Sequence, residues 1–186
     1  MKKIFFMLAA LLLFNATVLA APVKPESPLI LRGHISGINN HYITVVDNNN
    51  KNSVVILVGW DTLILSGESG KDVPLDRLNV GDDVMAYYSH IMTRSLPPQS
   101  HGYALIMTPK NKTGAMYAIV SDPQKTANGV RFLDESTNTY VTIPQNVSVE
   151  LQNVQNGDCV LVWYATVALS NPAQAFAVKA EPLNID

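Results

Sequence analysis

A single cysteine, Cys159, stands in 186 residues, so no disulfide forms within the chain and no set of thiolates is available to hold zinc. Charge is also scarce. Only 15% of residues are charged, with 13 basic against 15 acidic side chains, which leaves no basic footprint for nucleic acid. With 47% hydrophobic residues, the composition is that of a folded chain and not a disordered one. Helical periodicity is nearly missing. The exception is Val73-Pro74-Leu75-Asp76-Arg77-Leu78, where proline near a first turn and leucines three apart predict one short helical turn. No G-x-S-x-G, no His-Glu-x-x-His and no phosphate-cradling glycine loop occurs, so no catalytic residue, cofactor or metal is expected. Membrane-length apolar runs are missing too: the run Ile4 to Phe14 falls well short of the roughly 20 residues a spanning helix needs.

That short run has a different use. Lys2 and Lys3 precede it, and Val18-Leu19-Ala20 ends it in small residues before Ala21-Pro22, the three parts of a secretory signal peptide with cleavage after Ala20. The expected location is extracytoplasmic, in the periplasm or the medium, with no membrane span in the mature chain. Loss of both lysines makes the remainder more acidic still. Export normally favours disulfides in small domains; with Cys159 alone, the core has to hold by apolar burial and strand pairing.

What the sequence does contain is a repeat. Gly81-Asp82-Asp83-Val84-Met85-Ala86-Tyr87-Tyr88 returns as Gly157-Asp158-Cys159-Val160-Leu161-Val162-Trp163-Tyr164, and Ser95-Leu96-Pro97-Pro98-Gln99 as Ser170-Asn171-Pro172-Ala173-Gln174. Around these blocks lie short β-branched and aromatic runs such as Tyr42-Ile43-Thr44-Val45-Val46 and Thr139-Tyr140-Val141-Thr142-Ile143, separated by Asn39-Asn40, Asp47 to Asn50 and Asn128-Gly129. Such runs bounded by Asn, Asp and Gly are strands and hairpin turns. The reading is all-β: two tandem small five-stranded antiparallel barrels of the OB or SH3-like kind, because closure removes exposed edges, with a β-sandwich as the alternative. The divisions are a signal peptide over 1–20, a flexible lead-in over 21–28, a first β-domain over 29–108, a linker over 109–114 and a second β-domain over 115–183. An insertion in the first copy, Ser66 to Lys71, is expected to be an exposed loop.

The string Ala86 to Ser100, with its aromatic pair, Thr93-Arg94-Ser95, Leu96-Pro97-Pro98 and a last strand containing alanine, resembles a repeat domain of uncharacterised exported bacterial proteins. The likeness covers about one copy and is clearest in these residues. It implies an extracytoplasmic β-module and no particular reaction. Copy two departs from it, with Ala173 in place of the second proline and no Thr-Arg pair.

The candidate contact surface is therefore the first copy's loop and its aromatic support: Tyr87, Tyr88, Met92, Arg94, Leu96, Pro97, Pro98 and Gln99. Adjacent prolines fix φ and favour an extended, stiff segment, which loses little entropy on binding; the plainer reading is a cap on the barrel end. The expected function is a non-catalytic exported binding or structural module acting at the cell envelope or outside, with a protein or glycan of the envelope as partner and no nucleic acid. Two alternatives follow from single features. Trp60, Trp163 and the many asparagines suit a glycan-binding module, and Arg94 within Thr93–Gln99 suits a protease inhibitor. The four histidines, His34, His41, His90 and His101, all fall in copy one without metal-ligand spacing. Asp82, Asp83 and Asp158 are expected to bond turn backbone, and Cys159 to be inert core.

Overall fold

The computed structural model describes residues 27–108 and 115–185. The signal-peptide segment, most of the lead-in and the 109–114 linker lie outside these residues. The described chain is all-β. Copy one supplies β1 (Leu29–Asn39), β2 (Tyr42–Asp47), β3 (Ser53–Leu57), β4 (Leu63–Ser66), β5 (Asp83–Met92) and β6 (Gln99–Met107). Copy two supplies β7 (Met116–Ile119), β8 (Ser121–Thr126), β9 (Gly129–Asp134), β10 (Thr139–Pro144), β11 (Cys159–Ala168) and β12 (Ala173–Pro182).

In copy one the sheet runs β3-β2-β1-β5-β6, and β3 pairs again with β6 to close a five-stranded barrel. The closing pair is parallel, Val55 beside Gln99 and Leu57 beside His101, where an antiparallel barrel was expected. Parity explains the difference, since directions cannot alternate all the way around a ring with an odd number of strands. Copy two follows the same order, β7-β11-β12-β10-β9-β8, again with one parallel pair, β10 with β12. Its end strands β7 and β8 are consecutive in the chain, so this curled sheet repeats the ring with its first strand interrupted at Val120. The arrangement is that of tandem OB-type barrels, not a sandwich.

Backbone bonds fix the equivalence of the copies. Ile35 exchanges N–H and carbonyl bonds with Asp82 and Gly81, and Val120 does the same with Asp158 and Gly157. Both glycines have positive φ, +98° and +95°, a turn geometry that suits a residue without Cβ. Asp82 accepts from the Asn79 N–H and Asp158 from the Gln155 N–H, each at 2.8 Å, so these carboxylates tie turn backbone as expected. Short 3-10 turns precede both, Leu75–Arg77 and Glu150–Asn153.

Each barrel encloses its own apolar interior: Ile35, Ile43, Ile56, Val84, Ala86 and Tyr88 in the first; Val130, Phe132, Val141, Ile143, Val160 and Val162 in the second. A third core lies between the barrels. The outward residues of β5 and β11 are themselves apolar, and Tyr87, Leu65 and Ile106 pack there with Cys159, Leu161 and Trp163. The Tyr87 and Tyr117 rings lie 5.8 Å apart across this contact. The insertion in copy one is part of it. β4 pairs in parallel with β6, Leu65 is buried, and Gly67 and Gly70 are covered by the second barrel's Trp163 and Lys179. The segment expected to be an exposed loop is thus a docking element.

Candidate functional site

The mouth of the first barrel, at the start of β3, opens into a cleft of about 570 Å³. Its floor is made by inward residues of the strands, Leu31, Val54 and Tyr88. One lip is the β5–β6 hairpin, with Met92, Leu96, Pro97 and Pro98; the other is the β2–β3 turn, Asp47 and Asn50 to Ser53. Ile30, half exposed, closes one side. An apolar floor with polar groups on one rim is the usual build of a ligand site, and barrel mouths are a usual place for it. Burial pushes the Tyr88 hydroxyl above its ordinary pKa, and the Asp47 carboxylate adds to the shift, so this phenol stays a neutral donor at physiological pH.

The hairpin lip is laced by its own short polar side chains. Thr93 N–H donates to the Gln99 carbonyl at 2.9 Å and Gln99 N–H donates to Thr93 Oγ1 at 2.9 Å. Ser95 Oγ lies 2.7 Å from Thr93 Oγ1 and donates to the Pro97 carbonyl. The peptide bond between Leu96 and Pro97 is cis. The segment is therefore folded back on itself, not the extended polyproline stretch its two prolines suggest, because these bonds close it within six residues.

This closure throws its other side chains outward. Leu96 is 97% exposed, and Arg94 is exposed with no ion pair among the described residues. The Gln99 side chain is also exposed, on the outer face of β6. Tyr87 does not join the surface expected of it. Strand alternation leaves Tyr88 with Val84 and Ala86 in the barrel interior and Tyr87 with Met85 on the opposite face, where Tyr87 is 1% exposed because the second barrel covers the outward face of β5. Its hydroxyl, donating to Met85 Sδ at 3.0 Å, is pushed up to about 12 by burial, with Arg32 opposing. Trp163 is removed from any glycan platform for the same reason, while Trp60 is 98% exposed.

The histidines have separate neighbours: His34 sits 3.0 Å from Asn48 Oδ1, His90 2.6 Å from the Ser27 carbonyl and His101 3.4 Å from Asp61. Among the described residues no three His, Cys, Asp or Glu side chains cluster as metal ligands do. Cys159 is buried with its sulfur 3.1 Å from the Tyr117 hydroxyl.

Copy two lacks the cleft's two separated lips. Its hairpin keeps the lacing, with Ser170 Oγ donating to the Pro172 carbonyl and a cis bond before Pro172. There, however, the β9–β10 turn bonds directly to the hairpin: Asn138 Nδ2 donates to Asn171 Oδ1 at 2.8 Å and Ala173 N–H to the Asn138 carbonyl. The sequence reading missed the asparagine-rich lip of the first barrel. Its signal was present in Asp47 to Asn52, read only as a turn; the register that brings it opposite the prolines is a long-range property.

Comparison of the chain with family models and with curated proteins returns no match. The class defined by fold and site is a tandem OB-type β-protein with one open and one bridged barrel mouth.

Proposed function

We propose that this chain is a non-catalytic binding module, exported to the cell envelope or beyond, that grips an apolar segment of an envelope protein in the mouth of its first barrel. The observation that carries this reading is the internally laced hairpin lip, which holds Leu96 almost wholly in water beside a cleft with an apolar floor. A side chain so exposed on a loop so constrained loses little conformational entropy when a partner covers it. The resemblance of Ala86–Ser100 to a repeat of exported proteins and the three-part amino terminus support export. The second barrel acts as scaffold, since its two mouth loops are bonded to each other.

The test is retention of envelope proteins by the immobilised mature chain. Met92→Ala with Leu96→Ala removes the apolar lip, and Leu169→Ala alters the exposed equivalent hairpin of copy two. A specific partner retained by wild type and by Leu169→Ala, and lost with the double variant, is the expected result. Equal retention by all three makes the hairpin a barrel cap and ends the cleft reading.

A further inference from the structure

We propose a second, separate site on the first barrel: a saccharide-binding face at the end of β3 opposite the cleft. Strand registers place Asn39, Tyr42, Leu57 and His101 in one row across β1, β2, β3 and β6. At the usual interstrand spacing the row is about 15 Å long. Ile43 and Ile56, next along the chain to Tyr42 and Leu57, are fully buried in the barrel, so the row faces outward.

Trp60 lies in the chain beside the His101 end of this row. Its neighbours on both sides touch the His101 region: Asp61 pairs with His101 at 3.4 Å, and a Cβ on Gly59 would lie 3.3 Å from the His101 ring. His101 is further steadied by the edge of Tyr103, ring centroids 5.5 Å apart. Trp60 itself is 98% exposed, Tyr42 43% and Leu57 37%. A phenol ring and an isobutyl group left side by side in water, with an exposed indole three residues further along the chain, mark a contact surface and not a solvated one.

The chemistry of the rim selects the occupant. Asn39 and Asn40 are exposed, and their side-chain amides engage no other described residue. Each amide offers both donors and an acceptor. The row holds no lysine or arginine, and its neighbouring carboxylate, Asp61, is already beside His101. A polyanion finds no permanent cation in the row, only His101, already beside Asp61, and the adjoining exposed His41, and a basic peptide finds no unengaged carboxylate. A sugar chain matches what is present: C–H faces for the rings and hydroxyls for the amides, without charge. The corresponding row of copy two, Gln124, Arg131, Thr142 and Phe176, puts a guanidinium at the place of Tyr42 and stacks it 3.8 Å over Tyr140. The saccharide face thus belongs to copy one alone.

The chain's two tryptophans make this directly measurable. Trp163 is buried and Trp60 exposed, so acrylamide quenching reads Trp60. Cellohexaose and chitohexaose are titrated against the mature protein. One or both are expected to protect Trp60 and shift its emission to the blue. Tyr42→Ala is expected to weaken that protection about tenfold, the scale of one lost ring contact, while the Met92→Ala, Leu96→Ala double variant leaves it unchanged, which separates this site from the cleft. Failure of both sugars to protect Trp60, equal protection in Tyr42→Ala, or equal protection by an oligonucleotide overturns the proposal.

Discussion

The indole nitrogen of Trp163 donates to the carbonyl of Gly67 at 3.1 Å, across 96 residues of chain. The donor lies on an outward position of a strand in the second barrel, the acceptor in the insertion that only the first barrel carries. A buried indole N–H needs a partner, and the insertion provides one while β4 adds Leu65 to the same core. Two copies of one pattern are in this way joined through a difference between them.

Trp163 is accordingly the residue whose loss separates the barrels. Trp163→Phe keeps the ring and removes the hydrogen bond, and a destabilisation of about 1 kcal/mol is expected. Trp163→Ala also leaves a cavity, in the range of about 3–5 kcal/mol. Because β5 and β11 each contribute residues both to a barrel interior and to the core between the barrels, wild type should melt in one calorimetric transition, with Trp163→Ala splitting it or lowering its midpoint far more than Trp163→Phe does. Two independent transitions in wild type would contradict a shared core.

Gly70 gives an independent check on the same contact. Its φ is +67°, and an added Cβ would sit 2.5 Å from Lys179 Cγ and 3.0 Å from the Trp163 ring. Gly81 has φ of +98° with nothing within 4 Å. Gly81→Ala therefore meets backbone strain alone, about 1–2 kcal/mol, whereas Gly70→Ala meets strain and a clash in a packed core. Denaturant midpoints should rank wild type above Gly81→Ala and Gly81→Ala above Gly70→Ala; the reverse order of the two variants would mean that the insertion does not press on the second barrel.

Much of this architecture was legible in the residues. The repeated Gly-Asp turn, the alternation along Val84, Ala86 and Tyr88, and the proline pair marked strands and hairpins because those signals are local. The shared core was legible in part and went unread. Asp83 to Tyr88 and Cys159 to Tyr164 are apolar on both faces after their first residue, the pattern of a strand buried on both sides, which a small barrel with its outer face in water does not require. The cleft was less accessible. Its hairpin lip is local, but the opposing turn reaches it only through the parallel pairing of β3 with β6, a contact between segments some forty residues apart that no local pattern encodes. The bonds by which Thr93 and Ser95 close the hairpin depend on the fold of the loop, so their partners were not legible in the residues alone.

Alkaline pH should loosen the contact between the barrels. Burial raises Tyr87 to about 12 and pushes Tyr117 up as well, the latter reinforced by Cys159. Below about pH 10 folded and unfolded chains both keep these protons, and stability is unaffected by them. Above it the unfolded chain releases them first, so stability falls as pH rises through the folded values. Urea midpoints should therefore drop between about pH 10 and about pH 12. Tyr87→Phe should flatten part of that drop, and an unchanged slope in this variant would mean that Tyr87 titrates as an ordinary exposed phenol.

The hairpin lip supplies the last prediction, which concerns order and not global stability. Thr93 Oγ1 and Ser95 Oγ accept or donate each side-chain bond that closes Thr93–Gln99, yet both residues are exposed and outside the three cores. A double variant, Thr93→Ala with Ser95→Ala, should change the melting midpoint little, because surface substitutions away from packed groups usually stay within about 0.5 kcal/mol. Its effect should appear in the loop. Amide exchange at Leu96 and Gln99 should quicken, and capture of the envelope partner should weaken through a faster off-rate, since the lip would then have to be ordered at the moment of binding. Unchanged exchange would show that backbone pairing of Thr93 with Gln99 suffices to hold the lip. Faster exchange with undiminished capture would separate loop rigidity from recognition and leave the apolar floor of Leu31, Val54 and Tyr88 as the source of affinity.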